Sequence, residues 1–468
     1  MSKKKKTIEE LLEEALVPED EQPFQVPENW VWVRTETAND IVTGSTPAKK
    51  QSEYYGGGFP FVKPADLEQG SEVIHASEYL TEKGKAVSRI IPKESTVVCC
   101  IGSIGKAGFS TVECTTNQQI NSLVPNKKMI NPKFNYYQVL NGTYQNELWN
   151  RSSATTVSII NKGKMSLIPY VLPPFNEQKR IADKVERLLS KIEEAKQLIE
   201  EAKKTFELRR AAILDKAFHG ELTRKWREEN QCDKLELIEQ SGNLGPFKLP
   251  HGWEWKKLGE IGELQRGKSK HRPRNDPKLF GGEYPFIQTG DVARSSDYVE
   301  DFSQTLSEFG YNQSKLFPIG TVCITIAANI ADTAILKFPC CFPDSVVGFV
   351  PFEEIVSSEF VHYYISTIKN DLEHYAPATA QKNINLKILN EVLVPVPSLR
   401  EHEVIMDKIK NLLDKEYEAS QYLFLENSIE LLKQSILSKA FRGELGTNDP
   451  SEENAIELLK EVLREQVK

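Results

Sequence analysis

Apolar residues recur at Ile181, Val185, Leu188, Ile192, Ala195, Ile199, Ala202 and Phe206, in steps alternating four and three, with Glu, Lys and Arg between them. That is a heptad seam. Arg209 interrupts it once before Ile213 resumes it. Pro173 and Pro174 stop whatever precedes, and Gly220 stands where a helix C-terminal cap belongs. The spacing predicts a helix of about 37 residues, roughly 55 Å long at 1.5 Å per residue. Its single apolar side needs a partner helix. The chain supplies one: Ser398 to Leu445 repeats Phe175 to Leu222, pairing Glu177 with Glu401, Val185 with Ile409, Lys216-Ala217-Phe218 with Lys439-Ala440-Phe441, and Gly220-Glu221-Leu222 with Gly443-Glu444-Leu445. The second seam runs Ile405, Ile409, Leu412, Glu416, Ala419 and Leu423, loses one residue before Ile429, and re-phases to Ile429, Leu432 and Ile436.

The segments before each helix repeat as well. Trp30 and Trp32 match Trp253 and Trp255, Gly57-Gly58 match Gly281-Gly282, Pro60-Phe61 match Pro285-Phe286, and Asp66 matches Asp291. IPKESTVVCCIGSIGKAGF echoes FPIGTVCITIAANIADTAI, two apolar runs parted by a turn, the pattern of buried strands. The chain is thus one unit written twice. It divides into an N-terminal helix and linker (1–23), a first globular α/β domain (24–174), a first helical region (175–230), a linker (231–245), a second α/β domain (246–397), a second helical region (398–445) and a C-terminal helix (446–468). The predicted fold is mixed α/β: two α/β domains on two long antiparallel helices that form an intramolecular coiled coil with pseudo-twofold symmetry.

The 468 residues carry a formal net charge of −8, which weighs against simple nucleic-acid binding. Residues 398–468 hold 10 Lys and Arg against 15 Asp and Glu and residues 246–397 hold 15 against 18, whereas residues 24–174 hold 15 against 12. Any DNA face must therefore be a local patch. No apolar run approaches a membrane span. The seven cysteines form no C-x-x-C pair, so they read as reduced thiols of a cytoplasmic protein without zinc sites or disulfides.

Gly262 to Ser269 fits the phosphate-loop pattern G-x-x-x-x-G-K-[ST], but Pro273 and Pro277 follow where a helix must start. The first copy has only Thr43-Gly44-Ser45 at that place. Leu172-Pro173-Pro174-Phe175 resembles the tetrad of amino-methyltransferases, yet leucine cannot accept a bond from the target amine, and a proline stop before a helix explains the run. Asp66 and Asp291 read as strand-ending residues that bond turn amides. The densest basic run is Arg266, Lys268, Lys270, His271, Arg272 and Arg274, with Lys49 and Lys50 beside Gly44 and Ser45 in the first copy. Such residues suit phosphate contacts. Asn117, Gln118 and Gln119 carry amides that could meet adenine edges. Ser103, Lys106, Thr155 and Thr156 are further loop candidates, with Gln288, Thr289, Asn329 and Lys382 as rough counterparts. Nothing resembles a hydrolase or nuclease centre, and no residue is assigned to catalysis, cofactor or metal.

PPFNEQKRIADKVERLL, its copy PSLREHEVIMDKIKNLL, the endings KAFHGEL and KAFRGEL, and the openings ENWVWVRTE and HGWEWKKLG resemble the DNA specificity subunit of type I restriction–modification systems. The resemblance runs from about residue 24 to residue 445. It implies two target-recognition domains that each read half of a split site in double-stranded DNA, and two helices that set the distance between halves. It implies docking of two methyltransferase subunits and of restriction and motor subunits. Those partners would bind S-adenosylmethionine, ATP and magnesium and do the catalysis. Glu177, Gln178, Arg180, Phe218, Glu401 and Phe441 are the partner-binding candidates it points to. Asn176-Glu177-Gln178 becomes Arg400-Glu401-His402 in the second copy. The rival readings are a stand-alone nucleotide-binding enzyme or methyltransferase, and a coiled-coil protein adaptor.

Overall fold

The computed structural model describes residues 6–153, 157–230, 245–327, 329–375, 384–421 and 426–467. The chain forms two compact units, one of residues 1–199 and 425–468, the other of residues 200–424.

In the first unit the domain is closed at its base by β1 (Val31–Arg34), which pairs antiparallel with the last strand, β10 (Pro169–Leu172). Chain entry and exit therefore lie side by side where the long helix begins. Between them come β2 (Asn39–Thr43), β3 (Tyr55–Val62), β4 (Glu78–Leu80), β5 (Ile90–Ile91), β6 (Ser95–Cys99), β7 (Ala107–Ser110), β8 (Cys114–Thr116) and β9 (Ile120–Pro125). They form two four-stranded sheets, in the orders β2-β9-β6-β7 and β4-β3-β8-β5. The STVVC run is buried at every position, polar Ser95 and Thr96 included, because β6 lies inside its sheet between β9 and β7. The terminal helices Ile8–Ala15 and Ala455–Val467 complete this unit: Ala15, Ala455 and Leu459 share one core with Trp30, Phe134 and Ile181.

The second unit repeats the plan. Strand β11 (Glu254–Lys257) pairs with the last strand, β21 (Leu393–Val396). Between them lie β12 (Gly262–Arg266), β13 (Phe280–Phe286), β14 (Tyr298–Val299), β15 (Gln304–Leu306), β16 (Leu316–Phe317), β17 (Val322–Thr325), β18 (Thr333–Leu336), β19 (Cys340–Cys341) and β20 (Val346–Pro351). The sheets run β12-β20-β17-β18-β14 and β15-β13-β19-β16. Six cysteines are buried and free; Cys232 lies outside the described residues.

The first long helix runs from Phe175 to Phe218, longer than predicted. The second is described as Leu399–Gln421 and Glu426–Phe441. In the first unit Ile181 and Val185 share a core with Leu437, Ala440 and Phe441, while Lys433 reaches Glu193 at 3.9 Å. One helix advances as the other retreats, so the pair is antiparallel. In the second unit Leu214, Ala217 and Phe218 share a core with Ile405, Ile409 and Leu413, in the same sense. The two residues that interrupt the predicted seams meet there: Arg209 lies 3.7 Å from Glu416. Two seam assignments are corrected. Leu432 is 51% exposed, because the helix turns Lys433 to the inner side, and Ala195 is exposed. Of the stretch between Leu423 and Ile429 that lost one residue, positions 422–425 lie outside the described residues.

Each domain is held on the helices by a matching socket. Trp30 Nε1 donates to Glu177 at 2.7 Å, and Trp253 Nε1 to Glu401 at 2.9 Å. Lys184 donates to the Leu445 carbonyl at 2.6 Å, and Lys408 to that of Leu222 at 2.7 Å. Gly443 and Gly220, at φ of 76° and 72°, turn the helix ends against Pro27 and Pro250, where a Cβ would lie 2.4 Å from the ring. Phe441 packs on Phe134 at 5.2 Å, and Phe218 on Phe360 at 5.1 Å.

These sockets give the partner-binding candidates an internal task. Glu177, Gln178, Glu401, Phe218 and Phe441 are all buried. Gln178 accepts from the Asn131 amide and donates to the carbonyls of Met129 and Pro173. Such groups are spent on the fold and offer no surface to another protein. Arg180 alone stays partly exposed, in a two-pronged pair with Glu452. The sockets differ in one respect. Glu401 also accepts from Thr223 and from buried Arg227, whereas Glu177 has the neutral donors Thr447 and Asn448. A second tie in the second unit joins Arg210 of the long helix to Asp297 at 2.6 Å, with His362 and Tyr363 each 3.2 Å from the same carboxylate. These partners outweigh burial and hold Asp297 down to about 2.

Candidate nucleic-acid interface

Backbone hydrogen bonds gather the loops of each domain into one rim. In the first domain Gly102 N bonds Ser158 O at 3.1 Å, Cys100 N bonds Gln119 O at 2.7 Å, Ser45 N bonds Thr116 O at 2.8 Å and Asn117 N bonds Val62 O at 3.3 Å. The loops at 44–51, 62–66, 100–106, 116–119 and 157–160 are therefore neighbours, although they are far apart in sequence. The second domain repeats the ladder: Ile384 N to Ile326 O at 3.2 Å, Ile326 N to Ser345 O at 3.0 Å, Lys268 N to Phe342 O at 3.1 Å and Ile287 N to Cys341 O at 3.0 Å.

Gly44 and Gly267 fix this geometry. A Cβ on Gly44 would lie 2.2 Å from the Asn117 carbonyl, and one on Gly267 2.3 Å from that of Pro343. Gly44 is accordingly a buried packing residue and not a contact residue. Strand β12 leads through Gly267 into a loop and the short turn Pro277–Leu279. No helix N-terminus stands where a phosphate loop needs one. The Leu172-Pro173-Pro174-Phe175 run likewise ends β10 and opens the long helix. Asp66 and Asp291 cap turns, accepting from the amides of Lys63 at 2.8 Å and Gln288 at 2.7 Å.

The candidate residues fare differently on this rim. Lys49, Lys50, Ser103, Gln118, Arg266, Lys268, Lys270, Arg272, Arg274, Gln288 and Asn329 are exposed, and Ser45, Gln119 and Thr289 half-exposed. Asn117 is 8% exposed, its amide bonded to the Gln119 side chain and its carbonyl to the Gln119 N–H, so it shapes the turn that presents Gln118. Lys106 pairs with Glu68 at 3.0 Å and lines a cleft with Glu186 and Glu193 instead of joining the rim. Thr155, Thr156 and Lys382 lie outside the described residues. The basic run is partly neutralised from within, by Arg274 on Asp344 at 2.9 Å and His271 on Asp276 at 2.8 Å. Lys268 and Arg274, with Gln288, Thr289, Gln304 and Gln313, line a cleft of about 480 Å³.

Lys63, Glu78 and Gln304, which the sequence did not single out, stand at the edge of the rim. Lys63 stands three residues before Asp66 as Gln288 stands three before Asp291, and that spacing was the available signal. Lys63 pairs with Glu78 at 2.8 Å, and Gln288 donates to Gln304 at 2.9 Å. Burial and the Glu78 carboxylate raise the nearby Tyr55 hydroxyl.

The family model of the type I restriction modification DNA specificity domain matches residues 27–204 and again residues 250–426. The chain belongs to this family. Its two specificity domains coincide with the two halves of the repeat, each match running from the domain into its long helix. Among curated relatives, the EcoBI specificity subunit of Escherichia coli is 24% identical over 90% of this chain and 87% of its own length. The MjaIX specificity subunit of Methanocaldococcus jannaschii is 26% identical over 60% of this chain and 63% of its own. The fold matches a chain of a type I R-M system, described for its complex assembly and conformational transition, at a TM-score of 0.70, 20% identity and coverage of 90% of this chain and all of the other. It also matches the HsdS subunit from Thermoanaerobacter tengcongensis at 0.52, with 20% identity and coverage of 91% and 100%. Among the described residues no helix is long and apolar enough to cross a membrane.

Proposed function

We propose that the chain is the DNA-recognition subunit of a type I restriction–modification complex, each specificity domain reading one half of a split duplex site through its rim of loops. The observation that carries this reading is the duplication of one backbone ladder bearing two different sets of exposed side chains. A frame held constant while its polar tips differ suits two readers of unlike half-sites. Two methyltransferase subunits and the restriction and motor subunits bring the chemistry, with S-adenosylmethionine, ATP and magnesium bound by them. The complex works in the cytoplasm, where the DNA and the reducing conditions suited to buried free thiols are found.

The acidic overall charge means that this chain alone binds DNA weakly and gains affinity with its partners. Co-expression with the neighbouring methyltransferase, followed by genome-wide mapping of methylated bases, tests the reading. A two-part motif with an unspecified spacer is expected, and a short continuous motif overturns it. In the assembled complex, replacing Lys268 and Lys270 by alanine should weaken binding about equally across sequences. The salt slope should fall by about one for each phosphate that is no longer neutralised.

A further inference from the structure

The polar pair at the edge of each rim sits on one frame and carries two chemistries. Phe61 of β3 faces Glu78 of β4, and Phe286 of β13 faces Gln304 of β15, in the same antiparallel register. Both β3 and β13 shift register a few residues earlier, and each runs parallel to its other partner strand, β8 or β19. Lys63 and Gln288 lie two residues past those phenylalanines, with their amides capped by Asp66 and Asp291. The backbone thus puts the two side chains at matching places. One domain presents an ammonium and a carboxylate, 33% and 35% exposed, and the other presents two exposed amides. Neither pair is needed for the core, and each adjoins the loops that the ladders draw together.

We propose that Lys63 with Glu78, and Gln288 with Gln304, are equivalent base-reading pairs, the first addressing a G·C pair and the second an A·T pair. This rests on the reading that the rims face DNA. The chemistry follows from what each contact leaves free. The Lys63 ammonium keeps donors for guanine O6 and N7, and the Glu78 carboxylate keeps lone pairs for the cytosine amino group. In the other domain Gln288 spends an N–H on the Gln304 carbonyl. That leaves the Gln288 carbonyl and the Gln304 amide as one acceptor and one donor, the complement of adenine N6 and N7. The interaction within each pair holds both members in place before DNA arrives, which lowers the ordering cost on binding.

The test exchanges the chemistry on the full chain in complex with its methyltransferase subunits. K63Q/E78Q gives the first domain the amide pair, and Q288K/Q304E gives the second the charged pair. Each complex selects from a randomised duplex library by retardation, a readout that needs no methyl transfer, and thermal unfolding is compared with wild type. One position of one half-site should change preference by about tenfold in each variant. It should move away from G·C in the first variant and away from A·T in the second, with the other half-site and the spacer retained. The inference is overturned if folded variants select the wild-type motif unchanged, if the change falls in the half-site of the untouched domain, or if all positions weaken alike. Should the wild-type complex select no split site, it is the underlying reading that fails.

Discussion

Glu401 offers the sharpest measurement of how the domains are held. Its carboxylate accepts from Trp253 at 2.9 Å, from Thr223 at 2.7 Å and from Arg227, with side-chain exposures of 3% for Glu401 and 9% for Arg227. The guanidinium also bonds the Gly220 carbonyl at 2.7 Å, at the end of the first long helix. Replacing Glu401 by Gln keeps the shape and can keep the tryptophan bond, but strands the arginine charge inside the protein. Breaking a buried pair in this way costs about 3–5 kcal/mol. Arg227→Met strands the carboxylate with only neutral donors, at a similar cost. The double variant removes both charges, so it should cost about 2–4 kcal/mol less than the sum of the singles. Urea unfolding followed by hydrogen exchange at β17 amides reports this unit. Single variants costing under about 1 kcal/mol, or costs that simply add, would refute the reasoning. Glu177→Gln is the built-in comparison. Its donors are neutral, and burial raises its carboxyl above the usual value. Between the ordinary and raised values the folded state holds more protons than the unfolded chain, so stability falls as pH rises through that window. The neutral glutamine removes that decline and should cost at most about 1 kcal/mol, read from β6 amides.

Two further outcomes follow from the helices. Glu416 Oε2 is buried with no hydrogen-bond partner in the seam, so Glu416→Leu should be neutral or stabilise the second unit by about 1 kcal/mol in the same exchange assay; a loss of that size would show that its contact with Arg209 is worth more than the burial costs. Asp297, held at about 2 by His362 and Arg210, contributes about 2 kcal/mol that is present above the ordinary aspartate value and lost as pH falls from about 4 through 2. Asp297→Asn should abolish that acid dependence in pH-resolved unfolding, and an unchanged acid limb would contradict it.

The long helices were legible because a heptad seam is a local pattern, and the doubling was legible because Trp30, Gly220 and their copies keep their spacing. The rim was not. Gly44 meets Thr116, and Gly102 meets Ser158, only after the sheets close, and no spacing in the chain announces which loops a ladder will join. Similarity also misled at the helix starts. It marks Glu177 and Gln178 as important without saying that they face inward, and Asn117, chosen for its amide, spends that amide on Gln119. The phosphate-loop pattern failed for the opposite reason: Gly262 answers the close approach of Phe349 and the Val350 carbonyl, and Gly267 that of the 342–343 turn, demands invisible in the motif itself.

The two sockets have a consequence for how such chains change over generations. Each domain is gripped at the same few points: a tryptophan on a glutamate, a proline under a glycine, and an aromatic cluster at a helix end. Its exposed loops take no part in that grip. A segment running from Pro27 to the end of β10 can therefore be exchanged for a foreign one by recombination and still seat itself, provided the segment carries the tryptophan and the receiving helices carry the glutamate. Novelty in such a gene is modular: the mounting is inherited and the tip is replaceable.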